Sequence, residues 1–479
     1  MSTQLTDHLK LSAQTNNRLT VSGLRGSSPA LLISILASTE NCCCILADEH
    51  QVGILEDDLR LFSSVQVLTY PGYEIPPYTP LSPDQATIAA RLSTLYQLLD
   101  PGARFILIVS AEALMRRVMP KEILTRSAEL LMTGEEYAQD ELITSLIHLG
   151  YEQVSLVQTV GNFSVRGGII DIYPPPFTMN ASQGWQNVAS AKDGAGASGR
   201  MLQDGPIRLD FFGDTVESLR VFDPITQRSQ QELQEAILLP VSDILIPLPA
   251  ADAGNKILLE LAKTSENLQW DSEQTAQLGE QIERRHHFSG IEFFLPLFYQ
   301  DLQRESSTVF EFLPADTRLI FLDPEAGRKS TGLVHERILA NYASAQQNQT
   351  PALLPAQLFL DTEQLEEAMT GFAQLFCSDF NSKGKEILAF TTTNHQLLKQ
   401  DIGLQRKKRG LLAPLNDQIQ VWQEQGDQVI LCCRSSRHAR TLAELLEKHQ
   451  QIFSYFYHLS ASRQIIHSQR ADALCVQPG

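Results

Sequence analysis

Phe105–Val109 (FILIV) is a continuous apolar run bounded by Arg104 and Ser110. It is too short for a buried helix, and a strand apolar at consecutive positions has no solvent face. Such a strand must be covered above and below, as the strands of a parallel sheet are. The neighbouring segments repeat an alternation around it. Arg18–Val21 leads through a small-residue turn into a helix from about Pro29 to Thr39, and Cys42–Leu46 and Val65–Leu68 are further strands. Ala86–Leu98 has helical spacing, and Glu112–Arg117 starts another helix. Strands alternating with helices predict a parallel, doubly wound α/β sheet.

After about Pro120 the texture changes. A helix over Glu135–Leu149 ends at Gly150, a suitable cap, and the runs that follow have strand character: Gln158–Val165, Gly168–Tyr173, Ile207–Phe212 and Ser218–Phe222. They lie too close together for helical crossovers, which predicts an antiparallel sheet. Phe177–Gly205, rich in Gly, Ala, Ser and Asn, reads as a long, mobile loop. Helices at Lys256–Lys263 and Ser272–Arg285 and a strand at Leu319–Leu322 follow, then an extended connector at Pro351–Pro355. Val429–Cys433 reads as a strand and Ser436–His449 as a periodic helix; an apolar, strand-like run, Ala473–Val476, is followed by only three residues, which reads as a domain cut in mid-sheet.

Length and charge narrow the function classes. At 479 residues the chain predicts about three domains. A formal net charge of −18 argues against a surface built mainly to grip nucleic-acid phosphates. Apolar runs such as Ala30–Ala37 fall far short of the ~20 residues of a membrane span, and MSTQLTDHLK has no signal pattern. The seven cysteines, three of them adjacent (Cys42, Cys43, Cys44), form no CxxC pair or disulfide framework. These features predict a reduced, cytoplasmic, multidomain α/β protein with no membrane contact.

Three segments imitate nucleotide or metal sites. Gly23–Ala30 (GLRGSSPA) lies between a strand and a helix, where a phosphate loop would. A working loop needs GxxxxGK[ST], with glycines for close backbone approach, a lysine for the β/γ-phosphates and a hydroxyl for Mg²⁺. Gly23 and Gly26 are present, but Ser28 takes the second glycine's place, Pro29 the lysine's and Ala30 the hydroxyl's. The segment reads as a relic turn without nucleotide. Ile45–His50 (ILADEH) imitates an Asp-Glu-x-His box, but falls only about 20 residues after the relic turn and has no phosphate site to serve. Gly384–Lys385 is followed by Glu386 and reads as a surface turn. Arg284–His287 suits a polar helix end, and Arg406–Arg409 (RKKR), without flanking aromatics, reads as a solvated loop. No residue set has metal-ligand spacing, and no catalytic centre is expected.

Phe163–Pro174 (FSVRGGIIDIYP) and Ile207–Pro224 (IRLDFFGDTVESLRVFDP) are more informative. Gly167 and Gly168 break a strand, Asp171 and Asp210 sit where polar residues alternate with apolar ones, and Arg166 is a cation in an otherwise apolar stretch. Arg208 alternates with apolar neighbours, and Phe211 and Phe212 point to opposite faces, so one ring faces away from the core. Arg208 and Phe212 share a face, with Asp210 between them as the expected salt-bridge partner of Arg208. Arginine and an aromatic on one exposed sheet face are hot-spot chemistry for a protein partner.

These segments resemble the bacterial transcription-repair coupling factors (Mfd), in their N-terminal region, which is similar to the excision-repair protein UvrB. The resemblance is carried by Tyr70–Tyr96 (YPGYEIPPYTPLSPDQATIAARLSTLY), Ala113–Pro120 (ALMRRVMP), Phe163–Pro174, Ile207–Pro224, Ser289–Phe298 (SGIEFFLPLF) and Leu313–Thr317 (LPADT). It implies a degenerate helicase-like (RecA-like) domain in two segments, 1–120 and 241–360. A UvrB-like α+β domain at 121–240 is inserted between them, and a small, truncated α/β domain occupies 385–479. It implies docking of UvrA on Arg166, Arg208 and Phe212, no nucleotide on the relic loop, and recruitment of UvrA where RNA polymerase has stalled. The ATP- and Mg-dependent motor that displaces polymerase along duplex DNA would lie beyond residue 479. The alternative is a UvrB-like helicase domain that binds ATP and damaged DNA; Pro29 and Ala30 stand against it.

Overall fold

A computed structural model describes residues 18–100, 102–180, 200–203, 205–245, 253–284, 287–299, 306–378, 387–389, 395–405, 412–426, 429–433, 436–447, 453–456 and 464–468. The chain opens with β1 (Arg18–Ser22), β2 (Cys42–Leu46), β3 (Gln66–Tyr70) and β4 (Phe105–Ser110). Between them lie the helices Ser28–Ala37, Glu49–Phe62 and Gln85–Gln97. The middle of the chain holds β5 (Glu129–Met132), β6 (Glu152–Gln153), β7 (Asn162–Arg166), β8 (Ile169–Ile172) and β9 (Phe177–Asn180). It continues with β10 (Arg200–Gln203), β11 (Ile207–Phe212), β12 (Thr215–Phe222), β13 (Ser229–Leu233) and β14 (Glu235–Leu238). Later come β15 (Arg318–Leu322), β16 (Ala373–Ser378) and β17 (Ile387–Ala389), then β18 (Ile430–Cys433), β19 (Phe453–Phe456) and β20 (Gln464–Ser468).

The α/β expectation holds. Seven strands form one parallel sheet in the order β17-β1-β16-β15-β2-β4-β3. β4 is buried at every position, and its side chains divide between two cores: Phe105, Leu107 and Val109 on one face, Ile106 and Ile108 on the other. β2 divides likewise, with Cys43 and Ile45 opposite Cys42, Cys44 and Leu46. β15 enters beside β2 and is fastened there by Arg318, whose guanidinium meets both carboxylate oxygens of Glu40 at 2.7 and 3.0 Å.

Two expectations need correction here. The sheet does not end near residue 360: β16 and β17 also belong to it, and β17 falls within the stretch expected to open the next domain. β1 still lacks neighbours when β15 is in place, and two strands from further along the chain, β16 and β17, complete its pairing. The segment Phe177–Gly205 is not loop at its ends, because β9 and β10 pair antiparallel; residues 181–199 and 204 lie outside the described residues. Several helices were also not anticipated, among them Glu49–Phe62 and the long Pro324–Gln347.

The second sheet has six strands in the order β13-β12-β11-β8-β7-β6, antiparallel except between β6 and β7. One face carries Phe163, Ile170, Ile172, Ile207, Leu209, Val216 and Leu219 into the same core as one face of the parallel sheet. β5 and β14 pair beside it as the chain enters and leaves this region. A third sheet, β18-β20-β19, is antiparallel. The Tyr70–Tyr96 stretch closes on itself around Arg91, which lies 4.2 and 4.3 Å from the ring centroids of Tyr70 and Tyr73 and donates to the Pro71 carbonyl. That arginine is buried, 2% exposed.

Candidate protein-docking face

Because β-strand side chains alternate, the six-stranded sheet presents a second face built from the residues between the core positions. One row crosses it in register: Ser164 on β7, Asp171 on β8, Arg208 on β11, Arg220 on β12 and Glu232 on β13. Asp171, only 1% exposed, is the centre of this row. Its Oδ1 accepts from Arg208 Nε at 2.6 Å, and its Oδ2 accepts from Arg208 Nη2 at 2.9 Å and from Arg166 Nη2. The two arginines expected to meet are therefore brought together by the strand between them. The fork of two bonds fits a planar guanidinium onto a carboxylate. These hydrogen bonds, more than its surroundings, hold the Arg208 guanidinium above its usual range.

The expected ion pair between Arg208 and Asp210 does not form. Asp210 instead accepts from Arg220 Nη2 at 2.8 Å and from Ser218 Oγ at 2.7 Å. The reason is registry: Asp171 stands directly opposite Arg208, whereas Asp210 stands opposite Ser218, with Arg220 on the diagonal. Arg208 is also less open than a solvated arginine. Its side chain is 16% exposed, with its Cζ 4.7 Å from the Phe222 ring centroid, while Arg166 is 48% exposed.

The two adjacent phenylalanines separate as alternation predicts. Phe211 packs against the core, and Phe212 is 80% exposed at the end of β11, ~13 Å along the strand from Arg208. The hairpin beneath them depends on glycine. Gly167 has φ +61°, and a Cβ on Gly168 would come within 2.9 Å of the Phe211 carbonyl oxygen. That close approach lets the Phe211 amide donate to the Gly168 carbonyl at 2.7 Å.

At the relic loop, Gly23 and Gly26 take positive φ and Pro29 starts the helix Ser28–Ala37. Ser28 Oγ is turned back to the Arg25 carbonyl and amide, both at 2.8 Å. A cleft of about 520 Å³ opens beside Gly26, Pro29 and Ala30, and Asp58, Asp323 and Glu325 line it together with Arg328. Carboxylates at that position oppose a triphosphate. In the Asp-Glu-x-His imitation, Asp48 caps the helix Glu49–Phe62 by accepting from the Gln51 amide, and Glu49 accepts from the Gly72 amide and Ser110 Oγ. Both carboxylates are occupied in holding the fold.

Among the described residues no three His, Cys, Asp or Glu side chains gather to hold a metal ion, and no helix is long and apolar enough to cross a membrane. Arg285, His286, Gly384, Lys385, Arg406–Arg409 and Ala473–Val476 lie outside the described residues. Sequence reasoning noted Asp171 as a polar residue alternating with apolar ones but assigned it no role. Its signal was an acidic residue at an alternate position of an apolar strand, Ile169–Ile172.

Comparison with known proteins finds a family match over the strands of this sheet. The family described as UvrB interaction domain matches residues 130–181 and 200–243, which contain the whole face. A transcription-repair-coupling factor of Myxococcus xanthus is 28% identical over 465 residues, covering 92% of this chain and 35% of that protein. The one from Escherichia coli K12 is 29% identical over 349 residues (71% and 27%), and that of Bacillus subtilis 28% over 257 residues (53% and 20%). The resemblance to these factors is thus borne out over most of the chain, and the chain spans about a third or less of their length.

Proposed function

We propose that this chain is the UvrA-recruiting module of a transcription-repair coupling factor, acting in nucleotide excision repair, and that UvrA docks on the outer face of β7, β8 and β11. The observation that carries the reading is the pairing of Arg166 and Arg208 on one buried carboxylate, with the exposed Phe212 ring on the same sheet face, inside the segment that matches a UvrB interaction domain. Desolvated arginine and aromatic side chains are the groups that dominate protein interfaces. The reading includes a degenerate helicase-like parallel sheet that supports the docking domain and binds no nucleotide, and a cytoplasmic location. Contact with RNA polymerase and duplex DNA, and ATP-driven translocation, belong in this reading to the remainder of a full-length factor.

The experiment is capture of purified UvrA by the immobilised chain. Arg166→Ala and Phe212→Ala should each weaken capture roughly 30-fold, the equivalent of about 2 kcal/mol, with an unchanged melting curve. A chain carrying both substitutions that captures UvrA like the wild type would place the docking site elsewhere.

A further inference from the structure

We propose that Asp171 is the positioning residue of this face: it holds both docking arginines in one preset arrangement before any partner arrives. This rests on the docking reading above and deepens it. Both oxygens of a single carboxylate are engaged, Oδ1 by Arg208 Nε and Oδ2 by Arg208 Nη2 and Arg166 Nη2. Asp171 lies on β8, flanked by β7 and β11, so it reaches an arginine on either side. Its neighbours Ile170 and Ile172 anchor the strand in the core. Arg208 is confined further by the Phe222 ring and by the Gln227 carbonyl at 3.4 Å. Ordering long, rotamer-rich side chains on binding weakens association. Here that ordering accompanies folding, and Arg166 presents its outer guanidinium edge to solvent from a fixed position. A buried carboxylate is costly to keep without such partners. The sheet at this point needs no charge for its packing, since the core face is apolar.

Because Asp171 acts through the arginines, a mutational cycle separates its role from a contribution to folding. Asp171→Asn should weaken capture of purified UvrA about tenfold. Arg208→Ala should weaken capture and also lower the melting temperature, because it leaves the buried carboxylate with one fewer partner. Adding Asp171→Asn to Arg208→Ala should restore the melting temperature without restoring capture, and should weaken capture further only by the part of Asp171's role that runs through Arg166. In a chain that already carries Arg166→Ala and Arg208→Ala it should weaken capture no further. Arg208→Lys keeps a cation beside Asp171, and so preserves the fold, but a lysine ammonium cannot take both oxygens as the fork does. It should capture UvrA nearly as poorly as Arg208→Ala. All titrations are run below the melting transition of the least stable variant, with circular dichroism at the binding temperature.

Wild-type capture by Arg208→Lys, or by Asp171→Asn, overturns the positioning role; if Arg166→Ala and Phe212→Ala still lose capture, the docking reading itself stands. A further loss when Asp171→Asn is added to a chain carrying both Arg166→Ala and Arg208→Ala also overturns it, since Asp171 would then act independently of the two arginines. Undiminished capture by Arg166→Ala, Phe212→Ala and Arg208→Ala together removes the docking reading, and this inference with it.

Discussion

Asp171 and Arg208 stand directly opposite one another on the adjacent strands β8 and β11, and the guanidinium closes on the carboxylate with bonds of 2.6 and 2.9 Å. This relationship makes Arg208 both a surface group and a structural one. Losing it leaves the buried carboxylate with Arg166 as its remaining arginine partner. We therefore expect Arg208→Ala to cost about 2 kcal/mol in urea unfolding, whereas Arg166→Ala stays within about 0.5 kcal/mol. Equal losses for the two would contradict this division.

The two rings at the end of β11 should behave oppositely. Phe211 packs on the core, so Phe211→Ala should cost about 2–3 kcal/mol, less than the full burial of a ring because it is only partly covered. Phe212→Ala should leave stability within about 0.5 kcal/mol. Denaturant midpoints of the two variants decide the matter; reversed values would put Phe212 in the core.

ATP with Mg²⁺ should leave the melting temperature unchanged. Pro29 removes a backbone donor where the lysine of a phosphate loop would stand, and Asp58, Asp323 and Glu325 line the adjacent cleft. A functional site at 100-fold saturation would add about 2.7 kcal/mol, well within reach of a thermal shift. A clear ATP-dependent rise would restore the enzymatic alternative.

The contribution of Asp243 to stability should fall as the pH rises from about 4 to 8. Burial, reinforced by the Glu292 carboxylate, pushes Asp243 from 3.8 up to about 8. Between those values the folded chain binds a proton that the unfolded chain has released, so each pH unit favours unfolding by up to about 1.4 kcal/mol. The contribution is complete below the lower value and gone above the upper one. Asp243→Asn should match wild type near pH 4 and exceed it at pH 8. Some slope persists from Glu292, whose carboxyl burial also raises. Stability curves of wild type and variant that run parallel across this range would show that Asp243 is charged in the fold.

Local pattern settled what depends on neighbours in the chain. Five consecutive apolar residues fixed β4 as a strand covered on both faces, and period-2 alternation assigned Arg208 and Phe212 to one face and Phe211 to the other. The missing lysine at Pro29 could likewise be read directly. Pairing across the sheets could not. Asp171 and Arg208 are 37 positions apart, and alternation alone left Asp210 an equally suitable partner for Arg208. Only the antiparallel register of β8 against β11 decided between them, because it sets Asp171 directly across from Arg208 and gives Asp210 to Arg220. The seven-stranded sheet follows the same rule. β1 and β2 are written in the first residues, but β16 and β15, which fill the space between them, come from hundreds of positions later. Side-chain period is a property of one strand; registry and strand order are properties of two or more, and they arise when the core that those strands share is packed.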